Sequence, residues 1–123
     1  MGDDAAMDGP TVLAWCGRQP DTTAETPFGP GTLVFKVGGR MFAAAAADDP
    51  VSVTLKADPD FAELLREQFP GVKPGYHMNK RHWNTVVLDG SVPSEVILQL
   101  LEESYLLVSR LGSGRGGARR VAG

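Results

Sequence analysis

The segment Leu33–Ala44 has the sequence Leu-Val-Phe-Lys-Val-Gly-Gly-Arg-Met-Phe-Ala-Ala, two apolar runs joined by a pair of glycines. Glycine readily adopts the positive φ angles that a two-residue turn between antiparallel strands requires. The segment therefore predicts a β-hairpin that turns at Gly38-Gly39. The tightest pairing across this turn places Phe35 opposite Phe42, and both rings then share the buried face of the sheet.

Upstream of the hairpin, the sequence predicts a short helix and a long connection. Thr11 can cap a helix that ends near Arg18. Residues 19–31 hold three prolines and several threonines, so this connection is expected to be irregular. Phe28, in the middle of it, is expected to pack into the core as an anchor.

Downstream of the hairpin, the pattern predicts a third strand over residues 51–56, where apolar and polar residues alternate. Asp58 as cap and Pro59 at the first helical position begin a second helix, which stops at Pro70. A second pair of strands is predicted over residues 72–88. The last helix opens after Pro93, carries an apolar stripe and ends at Gly112.

These elements occur in the order α-β-β-β-α-β-β-α. Strands that come as hairpins form an antiparallel sheet, and the helices gather on one of its faces. The fold class is therefore α+β, a two-layer α/β sandwich. Residues 1–9 are expected to be a flexible acidic leader, residues 10–111 the single domain, and residues 112–123 a disordered Gly/Arg tail.

The charge balance argues against DNA binding by the overall field of the molecule. The chain has 12 Lys and Arg against 15 Asp and Glu. Without three acids in residues 1–9 and three arginines in residues 112–123, nine bases remain against twelve acids. Attraction to a polyanion must then come from a local patch.

Several features of the sequence indicate the cellular compartment of the protein. No apolar run approaches the ~18 residues of a membrane span, so no membrane partner is expected. Acids near the N-terminus do not suit a signal peptide, and Cys16 is alone in the chain. A cytoplasmic protein without disulfides is the expectation.

A second segment, residues 74–85, concentrates functional side chains. Its sequence is Pro-Gly-Tyr-His-Met-Asn-Lys-Arg-His-Trp-Asn-Thr, which interleaves aromatic, cationic and hydrogen-bonding groups. Neither a strand nor an ordinary loop needs such a mixture. The segment is either a recognition surface or a polar lock that fixes a turn.

Cations lie on both predicted hairpins, so the two hairpins could straddle a phosphate backbone. Three to five phosphate contacts would give weak binding, with a dissociation constant of about 10⁻⁴–10⁻⁶ M near physiological salt. The sequence is equally consistent with cations that are solvated or neutralised by acids such as Asp89. The cations are Lys36 and Arg40 on the first hairpin and Lys73, Lys80 and Arg81 on the second, with His77 and His82 adding charge at lower pH.

The aromatic and amide side chains of the motif carry two interpretations each. Tyr76 could stack on a base or a planar ligand, whereas Trp83 is expected to be a core anchor. Asn79 and Asn84 could contact base edges. Asn79 could instead fix the tight turn through a side-chain bond to the backbone.

No catalytic or metal-binding constellation is visible in the sequence. His77 and His82 are five residues apart, and a metal needs three or four ligands. Cys16 is expected to be a small buried thiol. The chain is therefore expected to be neither an enzyme nor dependent on a cofactor or metal.

Five segments resemble the MmcQ/YjbR family, and the resemblance spans about residues 11–111. It implies a small bacterial protein with a two-layer α/β fold like those of CyaY and the secretion chaperones. It also implies DNA binding through a "double-wing" motif. The segments are Phe35–Phe42, Leu55-Lys56, Pro74–Val86, Leu88–Pro93 and Ser104–Val108.

The leading functional hypothesis is thus weak DNA binding, with phosphate contacts from the lysines and arginine of residues 73–81. The alternative is binding or sequestration of a small aromatic molecule or a peptide on the curved sheet face, in a cleft lined by Tyr76, Trp83 and both histidines. A third hypothesis treats the motif as a structural lock. The sequence specifies neither a DNA sequence preference nor an oligomeric state.

Overall fold

Three helices and six strands make up the described part of the chain, residues 7–75 and 79–113 of a computed structural model. The α+β class and the predicted element order are confirmed, and one edge strand, β1, is added in the connection predicted to be irregular. The elements are α1 (Gly9–Arg18), β1 (Thr22–Glu25), β2 (Thr32–Val37), β3 (Arg40–Ala46), β4 (Ser52–Lys56), α2 (Pro59–Gln68), β5 (Val72–Pro74), β6 (Trp83–Val87) and α3 (Ser94–Ser113).

The strands form one antiparallel sheet in the order β1-β2-β3-β4-β6-β5. The helices cover one face of this sheet, because apolar side chains of all three pack with one alternating set of strand residues in a single core. The opposite face has no helix on it, and we call it the helix-free face. Within the described residues, no helix is both long enough and apolar enough to cross a bilayer.

The first hairpin turns at Gly38-Gly39 as predicted, but its register shifts by one residue. Lys36 pairs with Met41, whereas Phe35 pairs with Ala43 and not with Phe42. The predicted pairing of the two phenylalanines is therefore wrong. A β-bulge is the reason: Phe42 is the extra residue. Both rings still lie in the core, with centroids 6.4 Å apart.

Ser104 of α3 ties the helix layer to this bulge. Its hydroxyl donates to the carbonyl oxygen of Phe42 at 2.5 Å and accepts from the backbone N–H of Lys56 at 2.9 Å. Because a hydroxyl both donates and accepts, one side chain satisfies two backbone groups on neighbouring strands. Ser104 is fully buried, so no water replaces either bond.

Helix α1 begins two residues earlier than predicted. The cap is Asp8, not Thr11: its carboxylate accepts from the Thr11 N–H at 3.0 Å, and hydrogen bonding to Thr11 lowers the pKa of Asp8. Met7 also contacts the domain, since its N–H donates to the Ser94 hydroxyl at 3.2 Å. Residues 7–9, which the sequence analysis assigned to the leader, therefore contact the rest of the domain. For α2, the predicted Asp58 cap is confirmed.

Two further predictions for the core have opposite outcomes. The core anchor predicted at Phe28 is wrong, because this side chain is 78% exposed and lies beside the helix-free face. Cys16 is confirmed as a buried thiol. Burial raises the pKa of Cys16 to about 12, so the thiol stays protonated and is a poor nucleophile.

Candidate nucleic-acid interface

The sheet topology brings the two cationic hairpin connections to the same end. Strands β2, β4 and β5 run toward that end, and β3 and β6 run away from it. The Gly38-Gly39 turn and the connection between β5 and β6 therefore lie side by side. β4 separates β3 from β6, so the axes of these two strands lie about 10 Å apart. We call this end of the sheet, with Arg40, Lys56, Lys80 and Arg81, the basic end.

Three of the predicted cations are exposed at the basic end: Arg40 beside the first turn, and Lys80 and Arg81 in the second connection. Lys36 differs, because its ammonium lies 3.1 Å from the Glu25 carboxylate on the neighbouring strand β1. An exposed pair of this kind stabilises the fold little, but it reduces the charge that Lys36 presents to a ligand. Lys36 is thus the weakest member of the predicted set.

Lys56 is a cation that the sequence analysis did not include among the binding residues. It is the last residue of β4 and pairs with Trp83, the first residue of β6. Its ammonium lies 5.4 Å from the centroid of the Trp83 ring, within the range of a cation–π contact. Its position could have indicated a binding role, because a residue at the end of a strand with alternating polarity lies at the edge of the basic end.

The structure removes two predicted residues from the accessible surface. Trp83 is 8% exposed and Asn84 is 2% exposed. Trp83 is buried as expected, although under Lys56 on the helix-free face instead of in the main core. Neither side chain is available to stack on a base or to contact a base edge. Their assignment to the binding set is corrected for this reason.

Asn84 belongs to a clamp that fixes the second connection from below. Its side-chain oxygen accepts from Arg66 Nε at 2.9 Å, and its amide nitrogen donates to the Ala62 carbonyl at 3.2 Å. The same guanidinium also donates to the carbonyl oxygen of Lys80. Arg66 therefore joins helix α2 to the loop that carries the cations. Sequence analysis did not predict this role, since an arginine on a helix surface is usually solvated.

The turn that carries the cations is also fixed from within. The Asn79 side-chain oxygen accepts from the Arg81 N–H at 2.9 Å, and the Asn79 carbonyl accepts from the His82 N–H at 3.1 Å. The turn-fixing role predicted for Asn79 is confirmed. His82 is half-buried, and its carbonyl accepts from Ala57 N at 2.8 Å.

Two residues of the predicted site, Tyr76 and His77, lie outside the described residues. Lys73 is described, and it lies on the helix-free face about two residues, or ~7 Å, short of the basic end. It stands on β5 opposite Thr85, and its ammonium donates to the Pro70 carbonyl at 3.4 Å. Hydrogen bonds from Ser91 are the main cause that lowers the pKa of Asp89, and Lys73 contributes last. Asp89 is thus engaged mainly by its own turn and does not neutralise the cations.

Charge separates by layer in this molecule. The side chains that β1, β2, β4 and β5 direct to the helix-free face include Lys36, Lys56 and Lys73, against Glu25. On the helices, the three arginines Arg18, Arg66 and Arg110 are outnumbered by six exposed acids. The acids are Asp60, Glu63 and Glu67 on α2 and Glu95, Glu102 and Glu103 on α3. Cations therefore concentrate at the basic end, where the nearby exposed acids are Asp21 before β1 and Asp58 after β4.

Comparison with known proteins places this geometry in a family. A family model for YjbR matches residues 18–107. The chain belongs to the YjbR family. The resemblance of the motifs to MmcQ/YjbR proteins is thereby confirmed.

Relatives and solved structures agree with the YjbR assignment. The chain is 37% identical to the protein YjbR of Escherichia coli strain K12 over 95 residues, 76% of this chain and 80% of the relative. A crystal structure of a Deinococcus radiodurans protein with a DUF419 domain is 43% identical, with a TM-score of 0.80 over 88% of this chain and 83% of that one. A Pseudomonas syringae crystal structure is 28% identical, with a TM-score of 0.68 over 80% of this chain and 97% of that one.

These relatives carry no stated activity in their names. In residues 7–75 and 79–113, no three side chains of His, Cys, Asp or Glu converge as a metal site would require. The chemistry of the basic end is that of charge and hydrogen bonding. It can hold an anion in place.

Proposed function

We propose that this YjbR-family protein is a non-enzymatic cytoplasmic protein that binds the phosphate backbone of DNA with the basic end of its sheet. One observation carries the proposal. Exposed cations from two separate hairpins, Arg40 on one and Lys80 and Arg81 on the other, lie at the same end of one sheet. Such a placement allows both hairpins to contact one duplex.

The proposed binding is weak and independent of sequence. Contacts to phosphate carry no sequence information, and the amide that was expected to contact base edges, Asn84, is buried. A few phosphate contacts give a dissociation constant of about 10⁻⁴–10⁻⁶ M near physiological salt. The acids of α2 and α3 repel DNA from the helix layer, so they favour one orientation.

The proposal predicts that removal of charge at the basic end weakens binding far more than the same change elsewhere. The test variant is Lys80→Gln/Arg81→Gln, and the control is Gln68→Glu/Gln99→Glu on the outer surfaces of α2 and α3. Both change the net charge by −2. We expect the first to weaken binding about tenfold per lost contact in 50 mM salt, and the second by less than about threefold.

Fluorescence anisotropy of a labelled 20-base-pair duplex measures both affinities. Circular dichroism checks that both variants are folded. Equal losses in the two variants would mean that net charge alone governs binding, and this would contradict a local interface. A wild-type protein that does not bind the duplex in 50 mM salt would overturn the proposal itself.

A further inference from the structure

The helix-free face holds a cavity that the proposed DNA interface does not use. Its volume is about 670 Å³, within the range of small-molecule sites in proteins. Small side chains of β3 and β4 form its floor, among them Ala44, Ala46 and Thr54. Because the strands carry small residues here, the sheet surface is recessed at a place where larger side chains would fill it.

Residues of six strands align in one row beneath and beside this cavity. The cross-strand partners are Glu25, Val34, Ala44, Thr54, Thr85 and Lys73, in that order across the sheet. Three strand spacings separate Ala44 from Lys73, about 14 Å. The middle of the row is weakly polar, because the hydroxyls of Thr54 and Thr85 bond to each other at 2.9 Å. A ligand above the row therefore meets an apolar floor that ends in a cation.

Among the described residues that line the cavity, Lys73 supplies the one charged group. Its side chain is exposed, and its bond to the Pro70 carbonyl is long, at 3.4 Å. The Asp89 carboxylate also attracts Lys73, but it accepts mainly from Ser91 of its own turn, so the ammonium can turn toward an anion in the cavity. The site thus selects a ligand with one negative group at one end.

Phe28 supplies an aromatic wall at the other side. It lines the cavity but is 78% exposed, although a phenylalanine normally gains by burial. It lies in the connection before β2, next to Gly29, whose φ of 104° suits glycine. A flat aromatic ligand would cover this ring and regain that burial.

We propose that this cavity binds a flat aromatic anion of two or three fused rings. The rings lie on Ala44 and Thr54 and contact Phe28, and the carboxylate or sulfonate pairs with the Lys73 ammonium. The length of three fused rings spans much of the distance along the row. This site uses none of the cations of the basic end, so it is independent of the proposed DNA interface, and Lys73 belongs to it instead of to DNA.

Anthracene-2-carboxylate is the probe, and anthracene-2-carboxamide is its neutral counterpart of the same shape. We expect wild-type protein to bind the carboxylate about tenfold more tightly than the carboxamide. Titrations that follow anthracene fluorescence measure both dissociation constants. Lys73→Gln should remove this difference by weakening the carboxylate alone. The matched control Lys80→Gln should leave both affinities unchanged.

Cavity-filling variants test the floor. Ala44→Phe should abolish binding of both probes and retain wild-type DNA affinity, because the basic end is untouched. Ala46→Phe serves as a second filling variant if the first fails to fold in a thermal melt. Undiminished probe binding in a folded filling variant would overturn the proposal. Equal wild-type affinities for the two probes, or a dimer by sedimentation whose formation excludes them, would overturn it too.

Discussion

Replacement of Ser104 by alanine is expected to lower the free energy of unfolding by about 2–4 kcal/mol. The change removes two hydrogen bonds at once, to the Phe42 carbonyl and from the Lys56 N–H. Both backbone groups would then be left without a partner in the interior, where each unsatisfied group costs about 1–3 kcal/mol. The loss of one hydroxyl oxygen therefore weakens the contact between α3 and the bulged strand.

Urea unfolding followed by circular dichroism measures this effect. Ser52→Ala is the matched control, because it is the same substitution on a strand of the helix-free face, and we expect a change within about 0.5 kcal/mol. A Ser104→Ala protein as stable as the control would contradict the role of this serine in satisfying the bulge.

Replacement of Asn84 by alanine is expected to cost about 2–3 kcal/mol of unfolding free energy. The amide bonds to Arg66 Nε at 2.9 Å and to the Ala62 carbonyl at 3.2 Å, and the side chain is 2% exposed. Without it, the guanidinium loses an acceptor next to the core, and the connection that carries Lys80 loses part of its support. The bond from a charged donor makes this loss larger than that of a neutral pair.

Asn79→Ala is the control for this variant, since it removes the other asparagine of the same motif. Asn79 is exposed, and within the described ranges its side chain bonds locally to the Arg81 N–H, so we expect a cost of about 1 kcal/mol or less. Urea unfolding of both variants decides the comparison. If the two asparagines cost the same, Asn84 is not the buried clamp described above.

Local chemistry made much of the fold predictable. Gly38-Gly39 specified a turn, and the structure gives both residues positive φ angles. Asp58 followed by Pro59 specified the start of α2. In each case the physical cause lies within a few residues of the feature, so the sequence pattern contains it.

Features that depend on distant partners were not predictable. The bulge at Phe42 was not predicted, because Phe42 and Ala43 are both apolar and either register buries a hydrophobic side chain. The exposure of Phe28 was not predicted, because an aromatic residue in a connection usually packs into the core. Only the folded structure shows that this side chain lies outside it. The predicted burial of Phe28 rested on the usual behaviour of aromatic residues. The cavity beside it forms only when the strands assemble into a sheet, so the local sequence does not reveal it.

The candidate site divides in the same way. The role of Asn79 in its own turn was predictable, because the side chain bonds two residues ahead. The role of Asn84 was not, since its partners lie on α2, more than fifteen residues earlier. The meeting of Arg40 with Lys80 and Arg81 at one end required the strand order, which periodicity alone does not supply.

The central claim is that cations of both hairpins contact one DNA duplex at the same time. The salt dependence of duplex binding tests it most directly, since each phosphate contact contributes about −0.9 to the slope of log affinity against log salt. We predict a wild-type slope of about −3 to −4.5, reduced by about 1 in Arg40→Gln, by about 2 in Lys80→Gln/Arg81→Gln, and by about 3 when the changes are combined. A slope that stays at the wild-type value after either hairpin loses its charge would contradict the claim.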